Sequence, residues 1–150
     1  MLAEKPLQNM LPAVIGVLTP LLCRMDLAVY STTDEIGFIA SDAPCFWFDP
    51  EAYKRPPMYR NPGLMYKSIE ITLPVSPQQC IILNRQGVSG YLPVPQWRVD
   101  DINQKTRFCA EEYFVVRVNQ KRDVWFDPGV EPDDSWEKTH QREAEMESNR

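Results

Sequence analysis

The sequence predicts an α+β fold, a mixed or antiparallel sheet of about five to six strands that packs against two helices. Fourteen prolines in 150 residues disfavour long helices and favour many turns. Several short segments alternate between apolar and polar residues, as half-buried strands do. Two longer segments have the spacing of apolar residues expected for helices. Residues 1–130 are therefore predicted to form a single α+β domain.

The first predicted helix covers residues 8–25, and strands follow it. The segment at 11–25 is nearly all apolar, but it is too short and too rich in proline to span a bilayer comfortably. We expect a buried helix that is broken near Pro20 and no membrane association. Residues 25–32 and 36–41 predict two antiparallel strands joined as a hairpin, and residues 45–48 predict a short third strand.

The second half of the chain is predicted to complete the sheet and to add a second helix. An acidic residue, Asp100 or Asp101, is expected to cap this helix. The predicted elements, in order, are an irregular aromatic loop (49–67), strands at 68–76 and 78–85, a turn-rich loop (87–95), a helix near 100–112 and a last strand at 113–119.

The charge of the chain is concentrated at its C-terminal end. Residues 131–150 contain seven acidic and three basic residues, so they carry −4 of the formal net charge of −5. This segment lacks an aliphatic stripe and cannot bury enough apolar surface to fold alone. It is predicted to be a disordered or loosely helical acidic tail. The negative balance disfavours sequence-independent binding of nucleic acid.

The cysteine and histidine content argues against several common sites. Four cysteines at positions 23, 45, 80 and 109 are too widely spaced for a typical zinc site. With no export signal recognised, they are predicted to be reduced thiols of a cytoplasmic protein. His140, the only histidine, lies in the acidic tail, and no glycine-rich phosphate loop is present. We therefore predict no cofactor and no resident metal.

Asp42 and Glu70 are the candidate catalytic residues of an alternative function, a metal-dependent nuclease or related hydrolase. Such enzymes place an aspartate and a Glu-x-Lys triplet on adjacent strands, where the carboxylates hold the metal. Here the triplet reads Glu70-Ile71-Thr72, so its lysine is missing. A competing interpretation is structural. Asp42 would accept hydrogen bonds from its own turn, and Glu70 would face solvent from a strand.

The leading hypothesis is binding to a protein partner or to a second copy of the chain. Aromatic residues are frequent in the predicted loops, where basic residues interleave with tyrosines. This pattern is typical of surfaces that contact proteins or stack on bases. Non-catalytic nucleic-acid binding through the basic, aromatic loop 53–67 is a second alternative. The candidate binding residues are Tyr53, Arg55, Tyr59, Arg60, Tyr66 and Trp97.

Three motifs in a fixed order resemble the C-terminal half of the bacterial family called domain of unknown function 4238. They are FIASDAP (38–44), ITLPVSPQQCIIL (71–83) and VDDINQKTRFCAEEYFVV (99–116). Ala40 and Val75 stand where the family usually has threonine and leucine, and the family's N-terminal half is not found in this sequence. The resemblance implies no activity. It implies a structural importance for Ser41, Asp42, Pro44, Pro74, Ser76, Pro77 and Asn103.

Overall fold

A computed structural model describes residues 6–127 and confirms the α+β fold. The predicted acidic tail, including His140, lies outside the described residues. Single 3-10 turns occur at Ala52–Lys54, Pro57–Tyr59 and Asp123–Phe126. The helices and strands are α1 (Pro6–Leu22), β1 (Asp26–Ser31), β2 (Ala40–Ser41), β3 (Phe46–Phe48), β4 (Glu70–Ser76), β5 (Gln79–Asn84), β6 (Gly90–Pro93), α2 (Gln96–Cys109) and β7 (Phe114–Val115).

The main sheet has five strands in the order β3-β4-β5-β1-β6. The first three pairings are antiparallel and the β1–β6 pairing is parallel, so the sheet is mixed, as predicted. The sequence positions of β4 and β5 agree closely with the prediction because the two strands form a local pair with a tight connection. Helix α2 covers one face of the sheet, where Val99 and Ile102 pack against Ala28, Cys80 and Ile82.

The predicted hairpin between residues 25–32 and 36–41 is wrong. Strand β1 pairs instead with β5 and β6, and only Ala40–Ser41 of the second segment is a strand. That strand pairs with β7 in a separate two-stranded sheet. The physical reason is Gly37, whose φ of 70° interrupts an extended backbone. Ile36 and Ile39 of this segment are buried against Trp125, whereas Phe38 packs in the core between the main sheet and α2.

Helix α1 also differs from the prediction. It is one continuous helix with Pro12 and Pro20 inside it, and its residues 10–17 are exposed rather than buried. Its last turn packs on the body, where Leu22 contacts the cluster of Met25, Ile69 and Ile71. In the part of the chain that the structure describes, no helix is long and apolar enough to span a bilayer.

The region around α2 has three smaller differences. Strand β6 lies inside the segment predicted as a turn-rich loop, and β7 is much shorter than the predicted last strand. Helix α2 begins at Gln96, before the predicted aspartate cap. Asp100 and Asp101 therefore lie inside the helix, where Asp100 binds Arg122 and Asp101 binds Arg98. Their charges stabilise side-chain ion pairs instead of the helix N-terminus.

Candidate functional site

The three sequence motifs meet at the backbone just before the Ser-Asp-x-Pro corner. The amide of Phe38 donates to the carbonyl of Pro77 at 2.8 Å, and the amide of Ile39 donates to Oδ1 of Asn103 at 3.0 Å. The Nδ2 of Asn103 donates to the carbonyl of Gly37 at 2.8 Å. These groups are buried and outside any strand, so they need partners from other segments. We call this arrangement the motif junction; its role is to position the corner.

Asp42 does not cap its own turn, in contrast to the competing interpretation from the sequence. Its exposed carboxylate accepts hydrogen bonds from the amides of Glu111 at 3.1 Å and Glu112 at 2.7 Å. The turn itself is held by Ser41, whose Oγ accepts from the amide of Ala43 at 3.2 Å. Slight desolvation acts to raise the pKa of Asp42, but the two amides together lower that pKa below its ordinary value. Asp42 therefore ties the corner to the chain that leaves α2.

We predict that replacing Asp42 with alanine reduces the pH dependence of stability. A carboxyl whose pKa is lowered by folding stabilises the fold at pH values above its ordinary pKa of 3.8. This stabilisation is lost as the pH falls through the pKa of the folded state. Urea unfolding from neutral pH to below 3.8 should show a smaller fall for Asp42→Ala than for the unsubstituted chain. Asp42→Asn, which keeps an acceptor but does not titrate, is the matched control. Identical profiles for Asp42→Ala and the unsubstituted chain would contradict the prediction.

Glu70 lies far from Asp42 and has a different partner. It accepts a hydrogen bond from Nη2 of Arg98 at 2.6 Å, and Arg98 also binds Asp101 at 2.7 Å. Arg98 lies in the first turn of α2, about 16 Å along the helix axis from its last residue, Cys109, and the amides that bind Asp42 follow that end. The geometry therefore gives no support to one ion shared by Asp42 and Glu70. Among residues 6–127, no three His, Cys, Asp or Glu side chains are grouped to hold a metal.

The predicted basic, aromatic loop uses its arginines internally. Arg55 forms an ion pair with the buried carboxylate of Asp49 and lies over the Tyr66 ring, 4.1 Å from its centroid. The Nε of Arg55 donates to the carbonyl of Tyr59 at 3.0 Å. The Nε of Arg60 donates to the carbonyl of Arg55 at 3.1 Å. These contacts hold the loop in shape, so both side chains are engaged within the loop.

The remaining candidate binding residues do not form one surface. Tyr53 and Tyr59 are exposed on the loop, whereas Trp97 lies on α2 and is 68% exposed. Trp97 borders a groove of about 930 Å³ between α2, the edge strand β3 and the turn at 123–126. We call it the aromatic groove, because its lining includes the exposed residues Phe48, Trp97, Phe108 and Phe126, together with Trp47, which pairs with Ile71 and directs its ring to the other face of the sheet.

Cations lie on the rings of the aromatic groove. The Nζ of Lys105 is 3.8 Å from the centroid of the Phe48 ring, and Cζ of Arg107 is 4.8 Å from that of Phe126. All three residues of β3 line the groove, so the unpaired side of this edge strand faces it. The site combines apolar surface, positive charge and strand backbone, which suits recognition of a chain more than catalysis.

Sequence reasoning identified one groove residue, Trp97, and missed the others. Phe108 is 80% exposed and follows Trp97 at a spacing that puts both on one side of α2, with Asp101 between them. That spacing was a readable signal for two aromatic residues on the side of α2 opposite the predicted core face. Trp47 and Phe126 carried no such signal, because the groove forms only when α2, β3 and the turn at 123–126 come together.

Comparisons with known proteins gave one finding. A family model described as "Protein of unknown function (DUF4238)" matches residues 2–120, which include all seven strands and the three motifs. No match was found among curated proteins or among solved structures.

Proposed function

The chain belongs to the DUF4238 family of proteins of unknown function, and we propose that it acts by binding a protein partner in its aromatic groove. The observation that carries the proposal is the set of five exposed aromatic residues that line one groove, of which Trp47 alone directs its ring to the other face of the sheet. Contiguous apolar surface of this kind is costly in water and marks interaction sites in soluble proteins. Trp97 and Phe108 are the most exposed of the five, so we expect them to anchor the partner.

The partner segment is proposed to bind in an extended conformation, as an additional strand on β3. An edge strand offers backbone donors and acceptors, and alternate side chains of an added strand would enter the groove. Strand β3 has only three residues, so backbone bonding alone gives little affinity. The aromatic rings therefore supply most of the binding free energy.

The charge of the groove favours a segment that combines apolar residues with a carboxylate. Lys105 is paired with Asp101, whose carboxylate also lines the groove, so Arg107 is the cation that an acidic side chain of the partner would approach. This contact would steer binding and fix its register. Nucleic acid is the less favoured partner, since the formal net charge of the chain is −5 and both loop arginines are engaged. The nuclease alternative loses support from the separation of Asp42 and Glu70.

We also propose that the protein works in the bacterial cytoplasm. Its four cysteines are all free, which is the usual pattern in a reducing compartment. Burial raises the pKa of Cys80 to about 12, so this thiol behaves as an apolar core residue rather than as a reactive group.

Selection from a peptide display library, followed by affinity measurement with the purified chain, tests the proposed function. We expect the selected peptides to contain aromatic or aliphatic residues at alternate positions together with an acidic residue. Trp97→Ala and Phe108→Ala should each weaken their binding about tenfold or more. Methylation of alternate backbone nitrogens of the peptide should weaken binding by less than the loss of either anchor residue, because it removes the donors that pair with β3.

Tyr59→Ala is the matched control, since Tyr59 is an exposed aromatic residue on the loop and outside the groove lining. It should leave the affinity for the peptides unchanged. If the affinity for the peptides falls with Tyr59→Ala but not with the two groove variants, the binding site lies on the loop and not in the groove. A failure to select any peptide that depends on Trp97 or Phe108 would count against the groove.

A further inference from the structure

The sheet face opposite α2 is apolar across four strands. Residues paired across a sheet point to the same side, so the register divides each strand between the two faces. The row Thr72, Ile82 and Ala28 faces α2. The two neighbouring rows face the other way, and we call them the open face: Ile71, Leu83 and Leu27, then Leu73, Ile81, Val29 and Tyr91.

The open face carries no charged residue, yet much of it is accessible to water. Leu27 is 50% exposed and Tyr91 is 75% exposed, while Ile71 is covered by the last turn of α1 and its neighbours. A sheet with one solvated face normally alternates apolar and polar residues. Here both faces are apolar, which is the pattern of a sheet covered by helices on both sides.

Helix α1 also exposes apolar side chains to water. Its sequence, Pro6–Leu22, contains no charged residue. An amphipathic helix normally buries its apolar face, so the exposed apolar side chains of α1 also require a partner. Five of its side chains are between 43% and 65% exposed: Met10, Leu11, Val14, Ile15 and Val17.

Helix α1 leaves the body at the border of the open face but does not lie across it. Its last turn is fixed by Leu22, which packs beside Ile71, and by Arg85, whose Nη2 donates to the carbonyl of Leu21 at 3.1 Å. The amide of Met25 donates to the carbonyl of Leu22 at 3.0 Å, which closes the turn into β1. These contacts direct the rest of α1 away from its own sheet.

We propose that two copies of this chain pair by exchanging α1, so that each α1 covers the open face of the other copy. One chain supplies both an apolar helix without a sheet and an apolar sheet face without a helix. A twofold axis repeats this single contact and satisfies both surfaces at once. The part of α1 that precedes its fixed last turn is about 20 Å long, enough to cross the four strands of the open face, which are about 14 Å apart between the outer two.

Two features favour a second copy over an unrelated partner. The last turn of α1 is continuous with the open face, because Leu22 packs beside Ile71. Two helices and two open faces would therefore form one apolar interface. Two helix-on-sheet contacts can reach the area of about 1,200–2,000 Å² that specific interfaces bury. Because neither surface carries a charge, their contact leaves no buried charge unpaired. The proposal is independent of the aromatic groove.

Light scattering after size exclusion and analytical ultracentrifugation over a wide concentration series test the exchange. We expect the unsubstituted chain to be a dimer. Val17→Asp in α1 and Leu27→Lys on the open face should each raise the dimer dissociation constant roughly a hundredfold. Tyr91→Lys is a second open-face variant at a more exposed position, with circular dichroism as the test of folding. Phe108→Lys, equally drastic but in the aromatic groove, should remain dimeric.

Mixing the Val17→Asp and Leu27→Lys chains distinguishes exchange from other modes of association. A mixed dimer retains one unsubstituted helix-on-sheet contact, and its second contact brings aspartate towards lysine, so dimers should reappear. The proposal would be overturned if the unsubstituted chain is a monomer at every concentration, or if its monomers bind vesicles of phosphatidylcholine through α1. Loss of dimers with Val17→Asp but with neither open-face variant would also overturn it. Dimers lost with Phe108→Lys alone would overturn it too.

Discussion

Replacement of Gly37 by alanine is expected to cost about 4 kcal/mol or more of the free energy of unfolding, enough to leave much of the chain unfolded. Gly37 has a φ of 70°, a conformation that costs an alanine about 1–2 kcal/mol. The added Cβ would also lie 1.9 Å from the carbonyl oxygen of Pro77 and 2.7 Å from its carbon. Both contacts are with backbone, so relief requires movement of the β4–β5 connection and loss of the Phe38–Pro77 hydrogen bond.

Gly87→Ala is the matched control for this prediction. Gly87 has a similar φ of 79°, but a Cβ there would meet nothing within 4 Å. Gly87→Ala should therefore lower the free energy of unfolding only by the cost of an alanine at positive φ, about 1–2 kcal/mol. Urea unfolding followed by circular dichroism gives both values, and the difference between the variants isolates the close approach to Pro77. If the two substitutions cost the same, the motif junction is not tightly packed at Gly37.

The motif junction illustrates which part of the fold could be predicted from the sequence. Strands β4 and β5 were recognisable because β4 alternates clearly, β5 is a continuous apolar run and their pairing is local. Residues 36–39 are equally apolar, and the same reasoning assigned them to a strand. Ile36 and Ile39 are buried instead by Trp125, more than sixty positions away, and Phe38 packs in the core between the main sheet and α2 without being part of a strand. Gly37 and the hydrogen bonds to Asn103 fix this irregular backbone. Local pattern cannot distinguish these two reasons for an apolar segment.

The residues of the candidate site could likewise be predicted only in part. Trp97 was identified because an aromatic residue in a predicted loop is an obvious binding candidate, although it lies on a helix. Arg55 was selected for its charge, and the structure places that charge against Asp49, six positions earlier. The amino-acid composition includes both charges, but it does not show that the two residues pair. The partners of Asp42 lie about seventy positions away, so its role also depended on the tertiary fold.

Replacement of Asn103 by alanine is expected to cost about 3–5 kcal/mol, from two unsatisfied buried backbone groups and a cavity. The side chain of Asn103 is fully buried and joins α2 to both sides of the segment before the corner. Gln104→Ala is the matched control on the next residue of the helix. It removes a hydrogen bond of 2.6 Å to the carbonyl of Asp127 that is open to solvent, so it should cost less than about 1 kcal/mol.

Asn103→Asp separates the two hydrogen bonds of this side chain. A carboxylate can still accept from the amide of Ile39, but it cannot donate to the carbonyl of Gly37, and it buries a charge. We expect a loss at neutral pH at least as large as that of the alanine variant. On acidification the protonated carboxyl can donate again, so this variant should recover part of its stability relative to Asn103→Ala. Parallel pH profiles for the two variants would mean that the bond to Gly37 contributes little, and that Asn103 acts through Ile39 alone.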